Sequence, residues 1–182
     1  MSAVLLAAYP DVFAGGSVVA GLPYRCADSL SQATLCQYVP PDRSPRQWGD
    51  LVRAAYPGYA GPRPRVAIWH GQSDSTVVPA NGRELRDQFT DVLGIPAEPA
   101  AASSLPAGTR LEVYGAGQVR YYRVTGMGHG TPVDPGPGAD QCGSAAMYFI
   151  DTICSAYYDA VFFGLDPAHM KVGVPVGPAH MA

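Results

Sequence analysis

Hydrophobic and polar residues form two recurring patterns along the chain: short apolar runs bounded by glycine, and longer amphipathic stretches. The clearest apolar run is 65–70, which lies between a Gly-Pro pair and Gly71 and predicts a buried strand. The clearest amphipathic stretch is 79–93, in which apolar residues recur at four-residue spacing before Gly94. This spacing, with glycine at its end, predicts a helix.

Weaker patterns add the remaining elements. Residues 1–9 are small and apolar all round, which predicts a helix buried on most sides. Ser44 as N-cap and Pro45 at the first helical position predict a helix over 45–55. The other segments predict a strand at 15–21, a hairpin of strands 110–114 and 119–124, a final helix that ends near 163, and loops at 24–44, 95–108 and 126–141. This alternation predicts an α/β fold with a largely parallel sheet.

Composition narrows the class of protein. The chain has 182 residues, of which 47% are hydrophobic and 15% charged, with a net charge of −3, so we expect one globular domain. Its basic residues are scattered arginines apart from Lys171, so we expect no nucleic-acid partner. Glycine, proline or polar residues interrupt every long apolar stretch, so we expect no membrane span. The run 3–8 has no basic residue before it, unlike a signal peptide.

Two loops carry candidate chemistry, and each directly follows a predicted strand. The first contains Asp74 within 70–79, and the second contains His129 within 126–132. Ligands of open α/β sheets bind beyond the carboxyl ends of the strands, so an acid and a histidine from two such ends can meet there. A carboxylate in that position orients an imidazole for base catalysis. Taken singly, Asp74 is a typical turn residue and His129 a typical solvated histidine.

Several segments together resemble the poly(3-hydroxybutyrate) depolymerase-like esterases, which are secreted α/β-hydrolases related to feruloyl and acetylxylan esterases. The resemblance rests on the motifs Tyr-Pro-Asp-Val-Phe-Ala-Gly at 9–15, Gly-Leu-Pro-Tyr at 21–24, His-Gly-x-x-Asp at 70–74, Gly-Met-Gly-His-Gly at 126–130, and the ending 142–165. It implies that Asp74 is the acid and His129 the base of a catalytic triad. It also implies an ester substrate such as a hydroxyalkanoate.

The nucleophile that this family requires has no match in the chain. α/β-Hydrolases attack with a serine in the motif G-x-S-x-G, and Ser17 and Ser73 alone have glycine two residues before them. Neither has glycine two residues after, and Ser2 at the start of the first helix is interpreted as a cap or solvated residue. We therefore expect 1–182 to be the C-terminal part of a single α/β-hydrolase domain. The expected missing parts are the earlier strands and the nucleophile elbow, so the chain should be inactive as written.

Four cysteines allow three disulfide pairings. Cys26 and Cys36 close a short polar loop, where a bridge is sterically easy. Cys142 and Cys154 can pair only if 142–150 is not helical, since twelve helical steps span about 18 Å. Asp151 as the cap of a later helix would leave that loop free. We favour the pairings 26–36 and 142–154, with four buried thiols as the alternative. The favoured disulfides, together with the secretion of the family that the chain resembles, indicate an extracellular or periplasmic protein.

Other ligands find little support in the sequence. His129, Asp134, Asp140 and Cys142 share one loop, but their spacing matches no known metal-ligand framework, so we expect no metal. No nucleotide-binding motif is present, so we expect no cofactor. Tyr24 is the best candidate for substrate contact, because it follows the strand expected nearest the nucleophile and precedes the cysteine loop. Packing in the core or at its rim is the alternative role for Tyr24.

Three hypotheses for function remain open at this point. The first is an esterase that cleaves hydroxyalkanoate or similar short-chain esters through a triad containing Asp74 and His129. The second is a feruloyl- or acetylxylan-type carbohydrate esterase, which shares these motifs and differs in pocket shape. The third belongs to another class: a non-catalytic remnant or binding module.

Overall fold

The computed structural model describes residues 1–165, which form an α/β fold. Its helices are α1 (Ser2–Ala8), α2 (Leu30–Tyr38), α3 (Pro45–Ala55), α4 (Ala80–Leu93) and α5 (Ser155–Phe163). Its strands are β1 (Gly15–Val19), β2 (Arg65–Gly71), β3 (Ala101–Leu105), β4 (Thr109–Tyr114), β5 (Val119–Val124), β6 (Thr131–Val133) and β7 (Phe149–Asp151). Within the described residues, no helix is long and apolar enough to cross a bilayer.

The main sheet has the strand order β1-β2-β5-β4-β3. β1, β2 and β5 pair in parallel, whereas β4 pairs antiparallel with both β5 and β3. Four of the five strands therefore point in one direction and β4 alone is reversed, so the expected α/β fold with mostly parallel strands is confirmed. β6 and β7 form a separate parallel pair. The carboxyl ends of β1, β2 and β5 thus lie side by side at one edge of the sheet.

The core lies on both faces of β2, which is buried along its whole length after Arg65. Successive side chains of a strand point to opposite faces. Ile68 packs with Leu85 and Phe89 of α4 on one face. On the other face Trp69 stacks on Tyr122 with their ring centroids 3.8 Å apart. This two-sided packing holds the end of β2 in a fixed place.

Sequence signals at helix ends correspond closely to the structure. Ser44 caps α3, its side chain accepting a hydrogen bond from the backbone N–H of Gln47, while Gln47 accepts one from the backbone of Ser44. Pro45 occupies the first position of that helix. α4 ends on Gly94 in the left-handed conformation, with φ +67°. Both helix boundaries were therefore predictable from local chemistry.

Residues 24–44 are not one loop, as the sequence pattern suggested, because they contain α2. Ser29 caps this helix by accepting a hydrogen bond from Gln32 N–H at 3.3 Å. Its apolar residues Leu30 and Leu35 are exposed, and Cys36 is the buried residue of the helix. Since α2 lies on the surface and is held by a cysteine, no amphipathic pattern reveals it.

The prediction of a loop over 95–108 is also wrong, because β3 lies there at the edge of the sheet. Residues 101–104 are exposed and β3 pairs with β4 through its backbone, so its sequence shows no apolar alternation. The loop 126–141 likewise contains the short strand β6. Asp151 does not cap α5; Cys154 does, with its sulfur 3.1 Å from the backbone nitrogen of Tyr157.

α1 is helical as expected but is not buried on most sides. Ala3, Leu6 and Ala7 face the core, whereas Val4 is 43% exposed. The reason is that β1 lies at the edge of the five-stranded sheet, so the outer side of α1 has no neighbouring strand within residues 1–165.

Candidate active site

Asp74 lies in the loop that follows β2, and the fold buries its carboxylate completely. One carboxylate oxygen, Oδ1, accepts hydrogen bonds from the backbone N–H groups of Thr76 (2.9 Å) and Val77 (2.8 Å). This is the Asx-turn arrangement that aspartate favours in tight loops. The turn fixes the carboxylate and leaves its second oxygen, Oδ2, for another partner.

That partner is His129, in the loop after β5. Its Nδ1 lies 2.9 Å from Asp74 Oδ2, so Nδ1–H donates to the carboxylate and Nε2 is left unprotonated in the neutral ring. The His129 side chain is 30% exposed, in contrast to the buried acid. The structure therefore joins two residues 55 positions apart into an acid–imidazole pair with its basic nitrogen accessible.

The two loops are also held together through their backbones. The N–H of Ser73 donates to the carbonyl of Met127 at 3.0 Å. The carbonyls of Met127 and Gly128 press against Gly71, where an added Cβ would lie 2.5 Å from the Gly128 oxygen. Glycine is thus required at the last position of β2, because any side chain there would push the acid loop and the histidine loop apart.

His70 is a site residue that sequence reasoning missed. It is fully buried, and its Nε2 lies 2.8 Å from the carbonyl of Val77 and 3.7 Å from Asp74 Oδ2. Burial lowers the pKa of His70, so the ring is neutral, with Nε2–H donating to Val77. His70 thereby supports the turn that holds Asp74. His70 lies on the same face of β2 as Ile68, but every residue of β2 after Arg65 is buried, so the pattern of the strand does not single it out.

A cleft of about 460 Å³ opens beside His129. One wall is the segment 19–27, which includes Tyr24, and Val77 of the acid loop and Gln37 of α2 also line it. A volume of this size suits a small-molecule ligand. The structure therefore places Tyr24 and His129 on the same cleft.

No described residue on the cleft wall is a serine or a threonine. Among the same residues the cysteine is Cys26, which is bonded to Cys36. Ser2 and Ser17 lie in a different groove between α1 and β1. Residues 166–182 include no serine, threonine or cysteine. His169 and His180 lie outside the described residues.

Both favoured cysteine pairings are present in the structure. Cys26 and Cys36 are bonded with their Cα atoms 6.3 Å apart, and Cys142 and Cys154 with theirs 5.3 Å apart. The second bridge is possible because residues 142–150 are not helical and α5 begins only at Ser155. The first bridge links the cleft wall to α2.

The loop considered for metal binding is held by other interactions. Cys142 is in a disulfide, and Asp134 Oδ1 accepts a hydrogen bond from Gln141 Nε2 at 3.1 Å. Within residues 1–165 no three His, Cys, Asp or Glu side chains are grouped closely enough to hold a metal ion. The backbone of Asp134 pairs with that of Cys142 in an antiparallel bridge, so this aspartate has a structural role.

The chain is similar to esterases of two named kinds. It is 49% identical over 170 residues to poly(3-hydroxyalkanoate) depolymerase C of Paucimonas lemoignei, covering 91% of this chain and 41% of that protein. It is 42% identical over 142 residues to an acetylxylan esterase of Coprinopsis cinerea, covering 72% of this chain and 37% of that protein. No protein-family model matches the chain.

A solved structure gives the same fold. The acetyl xylan esterase from Aspergillus awamori superposes with a TM-score of 0.71 at 24% identity, covering 90% of this chain and 55% of that one. At this identity the likeness establishes the fold. The chain spans less than half the length of the two sequence relatives that it matches.

Proposed function

The chain belongs to the poly(3-hydroxybutyrate) depolymerase-like esterase family of α/β-hydrolases, and from this premise we propose that it supplies the acid and base of a carboxylic ester hydrolase. His129 is the base and Asp74 the acid of the proposed triad. The observation that carries the proposal is the 2.9 Å hydrogen bond between His129 Nδ1 and the buried Asp74 carboxylate.

The proposed reaction is acyl transfer through a serine. His129 Nε2 takes the proton of the serine hydroxyl while the serine oxygen bonds to the ester carbonyl carbon. The resulting imidazolium then gives that proton to the departing alcohol as the ester bond breaks, leaving an acyl-serine. Water then attacks the carbonyl carbon of the acyl-serine while His129 Nε2 takes a proton from it. That proton passes to the serine oxygen as the acyl–serine bond breaks and the acid is released. Asp74 holds the Nε2-basic tautomer throughout and stabilises the imidazolium electrostatically.

We further propose that the serine belongs to polypeptide outside these 182 residues. Two observations support this: within residues 1–165 neither serine nor threonine lines the cleft beside His129, and the chain aligns with 41% of the depolymerase. In the proposed arrangement the serine approaches His129 across the cleft, from the side of β1 and α1. The 182 residues are then the C-terminal part of one α/β-hydrolase domain.

The substrate class that we propose is a hydroxyalkanoate ester, on the strength of the 49% identity to the depolymerase. Acetylated xylan is the second candidate, favoured by the 42% identity to an acetylxylan esterase. Both substrates contain an ester carbonyl group, and they differ in the acyl and alcohol groups attached to it. We place the protein in an extracellular or periplasmic compartment, because its two disulfides persist in oxidising surroundings.

A substrate comparison tests this proposal on the extended chain, meaning these 182 residues joined to the in-frame upstream segment that carries G-x-S-x-G. We expect it to release 3-hydroxybutyrate from poly(3-hydroxybutyrate) faster than acetate from acetylated xylan. The reverse order would assign the chain to the carbohydrate esterases. A stop codon directly upstream, with no such segment, would favour the non-catalytic binding module.

A further inference from the structure

Residues 20–26, the central part of the cleft wall 19–27, have an unusual backbone and are called the wall 20–26 below. Ala20 and Arg25 have positive φ angles of +45° and +57°, in a region that residues with a Cβ rarely adopt. Ala107 is the one other non-glycine residue in the described part of the chain that does so. Strained backbone of this kind persists only where the surroundings over-determine it, and it clusters at ligand sites. The wall therefore needs specific supports.

Its two ends have identifiable anchors. The N–H of Ala20 donates to the carbonyl of Trp69 at 2.8 Å, which ties the wall to the end of β2. At the other end, Cys26 is bonded to Cys36 of α2. Between these ends, Arg43 Nη1 donates to the carbonyl of Arg25 at 3.2 Å, and the middle of the wall at Tyr24 is held by another group.

That group is Gln88, a fully buried residue of α4. Its Oε1 accepts the N–H of Tyr24 at 2.7 Å, and its Nε2 donates to the carbonyl of Tyr24 at 3.0 Å. The second N–H of the same amide donates to the carbonyl of Trp48 in α3, at 3.2 Å. One side chain thus holds both backbone polar groups of Tyr24 and joins the wall to two helices.

An uncharged amide is the side chain that suits this position. It offers one acceptor and two donors, and all three functions are used. A carboxylate could not donate to the two carbonyls, and an apolar side chain would remove the partner of both backbone polar groups of Tyr24. Gln88 does not border the cleft, so its effect on a ligand is exerted through Tyr24.

We propose that Gln88 is a positioning residue that holds Tyr24 and the wall 20–26 in place, and that this wall selects which ester substituent enters the cleft. The selectivity part rests on the proposed esterase function, whereas the positioning part does not. The wall presents small apolar groups from Ala20, Gly21, Leu22 and Pro23 toward the cleft that His129 borders. A shift of this wall changes the space available to the substituent rather than the acid–base pair.

Amide hydrogen exchange on the 182-residue chain tests the positioning part without any need for activity. We expect Gln88→Met to speed exchange at the Tyr24 amide at least tenfold, because that N–H loses its acceptor. The matched control is Thr90→Val, which removes a buried hydroxyl of the same helix that bonds to Arg86 and Asp87. In this control the Tyr24 amide should exchange as in the unsubstituted chain. Equal exchange in the Gln88 variant would overturn the proposal.

If Gln88→Met does not fold, the unsubstituted chain still decides the question. The Tyr24 amide and the Gln88 side-chain amide protons should then show the same protection factor, since one local opening frees both. A Tyr24 amide that exchanges as fast as an unprotected amide would contradict the positioning role proposed for Gln88.

Acyl selectivity on the extended chain tests the second part. We expect Gln88→Met to change the ratio of kcat/KM between acetyl and butyryl esters by about tenfold, mainly through KM, as pockets that differ by a methylene do. Thr90→Val should leave the ratio unchanged. An unchanged ratio alongside faster Tyr24 exchange would overturn selection by the wall. If the unsubstituted extended chain is inactive, that result counts against the proposed function. The hydrogen-exchange result still tests the positioning part independently.

Discussion

Replacing His129 with alanine should lower kcat of the extended chain by about 10⁶-fold, which is the cost of losing a triad histidine. The imidazole accepts the serine proton and later protonates the leaving alcohol, so both bond-changing steps lose their proton carrier. Its removal leaves Oδ2 of the buried Asp74 carboxylate without a partner, so we also expect a loss of about 1–3 kcal/mol in the free energy of unfolding. Ester hydrolysis measured at saturating substrate, beside the thermal midpoint of unfolding, checks both expectations.

Added imidazole provides the control for this variant. The space left by the side chain borders the cleft, so free imidazole can enter and act as the base, and we expect partial recovery of the rate at high imidazole concentration. Unsubstituted protein should show no such gain. Retention of more than a hundredth of the original kcat in the alanine variant would mean that another residue is the base.

Replacing Asp74 with asparagine should lower kcat by about 10⁴-fold while preserving the fold. The backbone N–H groups of Thr76 and Val77 donate to Oδ1, so they orient the new amide with its oxygen at that position. Its NH₂ group then faces His129 Nδ1 and donates to it. This forces the ring proton onto Nε2, so the nitrogen that must accept the serine proton already carries one.

Nitrogen chemical shifts of the His129 ring check the tautomer directly, and they can be measured in the 182-residue chain itself. We expect Nδ1 protonated in the unsubstituted chain and Nε2 protonated in Asp74→Asn, both at a pH where the ring is neutral. Asp134→Asn is the matched control, because Asp134 Oδ1 accepts its hydrogen bond from Gln141 and not from the His129 ring. Full ester-hydrolysing activity of the extended chain carrying Asp74→Asn would show that a different acid serves the histidine.

The sequence predicted the parts of the fold whose chemistry is local. β2 is a continuous apolar run, α3 has its cap box, and α4 ends on a glycine that adopts the left-handed conformation. Each of these signals acts within a few residues, so it can be recognised without knowledge of the tertiary contacts. The pairing of Cys142 with Cys154 was favoured on the condition that residues 142–150 are not helical, and the structure meets that condition.

Elements stabilised by distant partners were not predictable in this way. α2 is held by a disulfide and by hydrogen bonds from Asn81 of α4 to the carbonyls of Cys36 and Gln37, so its own sequence shows no apolar face. β3 depends on backbone pairing with β4. In both cases the stabilising contact lies far along the chain, where periodicity provides no information.

The candidate site divides in the same way. Asp74 and His129 could be singled out because each follows a strand whose carboxyl end lies at the same edge of the sheet. His70 and Gln88 could not, because their roles are to hold the backbones of Val77 and Tyr24, and a buried polar residue does not reveal its partner in the sequence. Positioning residues are thus harder to predict than the groups they position.

In the proposed triad, His129 and Asp74 serve a serine that lies outside these 182 residues. A pre-steady-state burst assay with p-nitrophenyl butyrate tests it most directly, because acylation of the serine releases one p-nitrophenol per active site before steady turnover. We expect no burst from the 182-residue chain and a burst of one equivalent from the extended chain. A stoichiometric burst from the 182-residue chain alone would contradict the claim, since it would require a nucleophile within it.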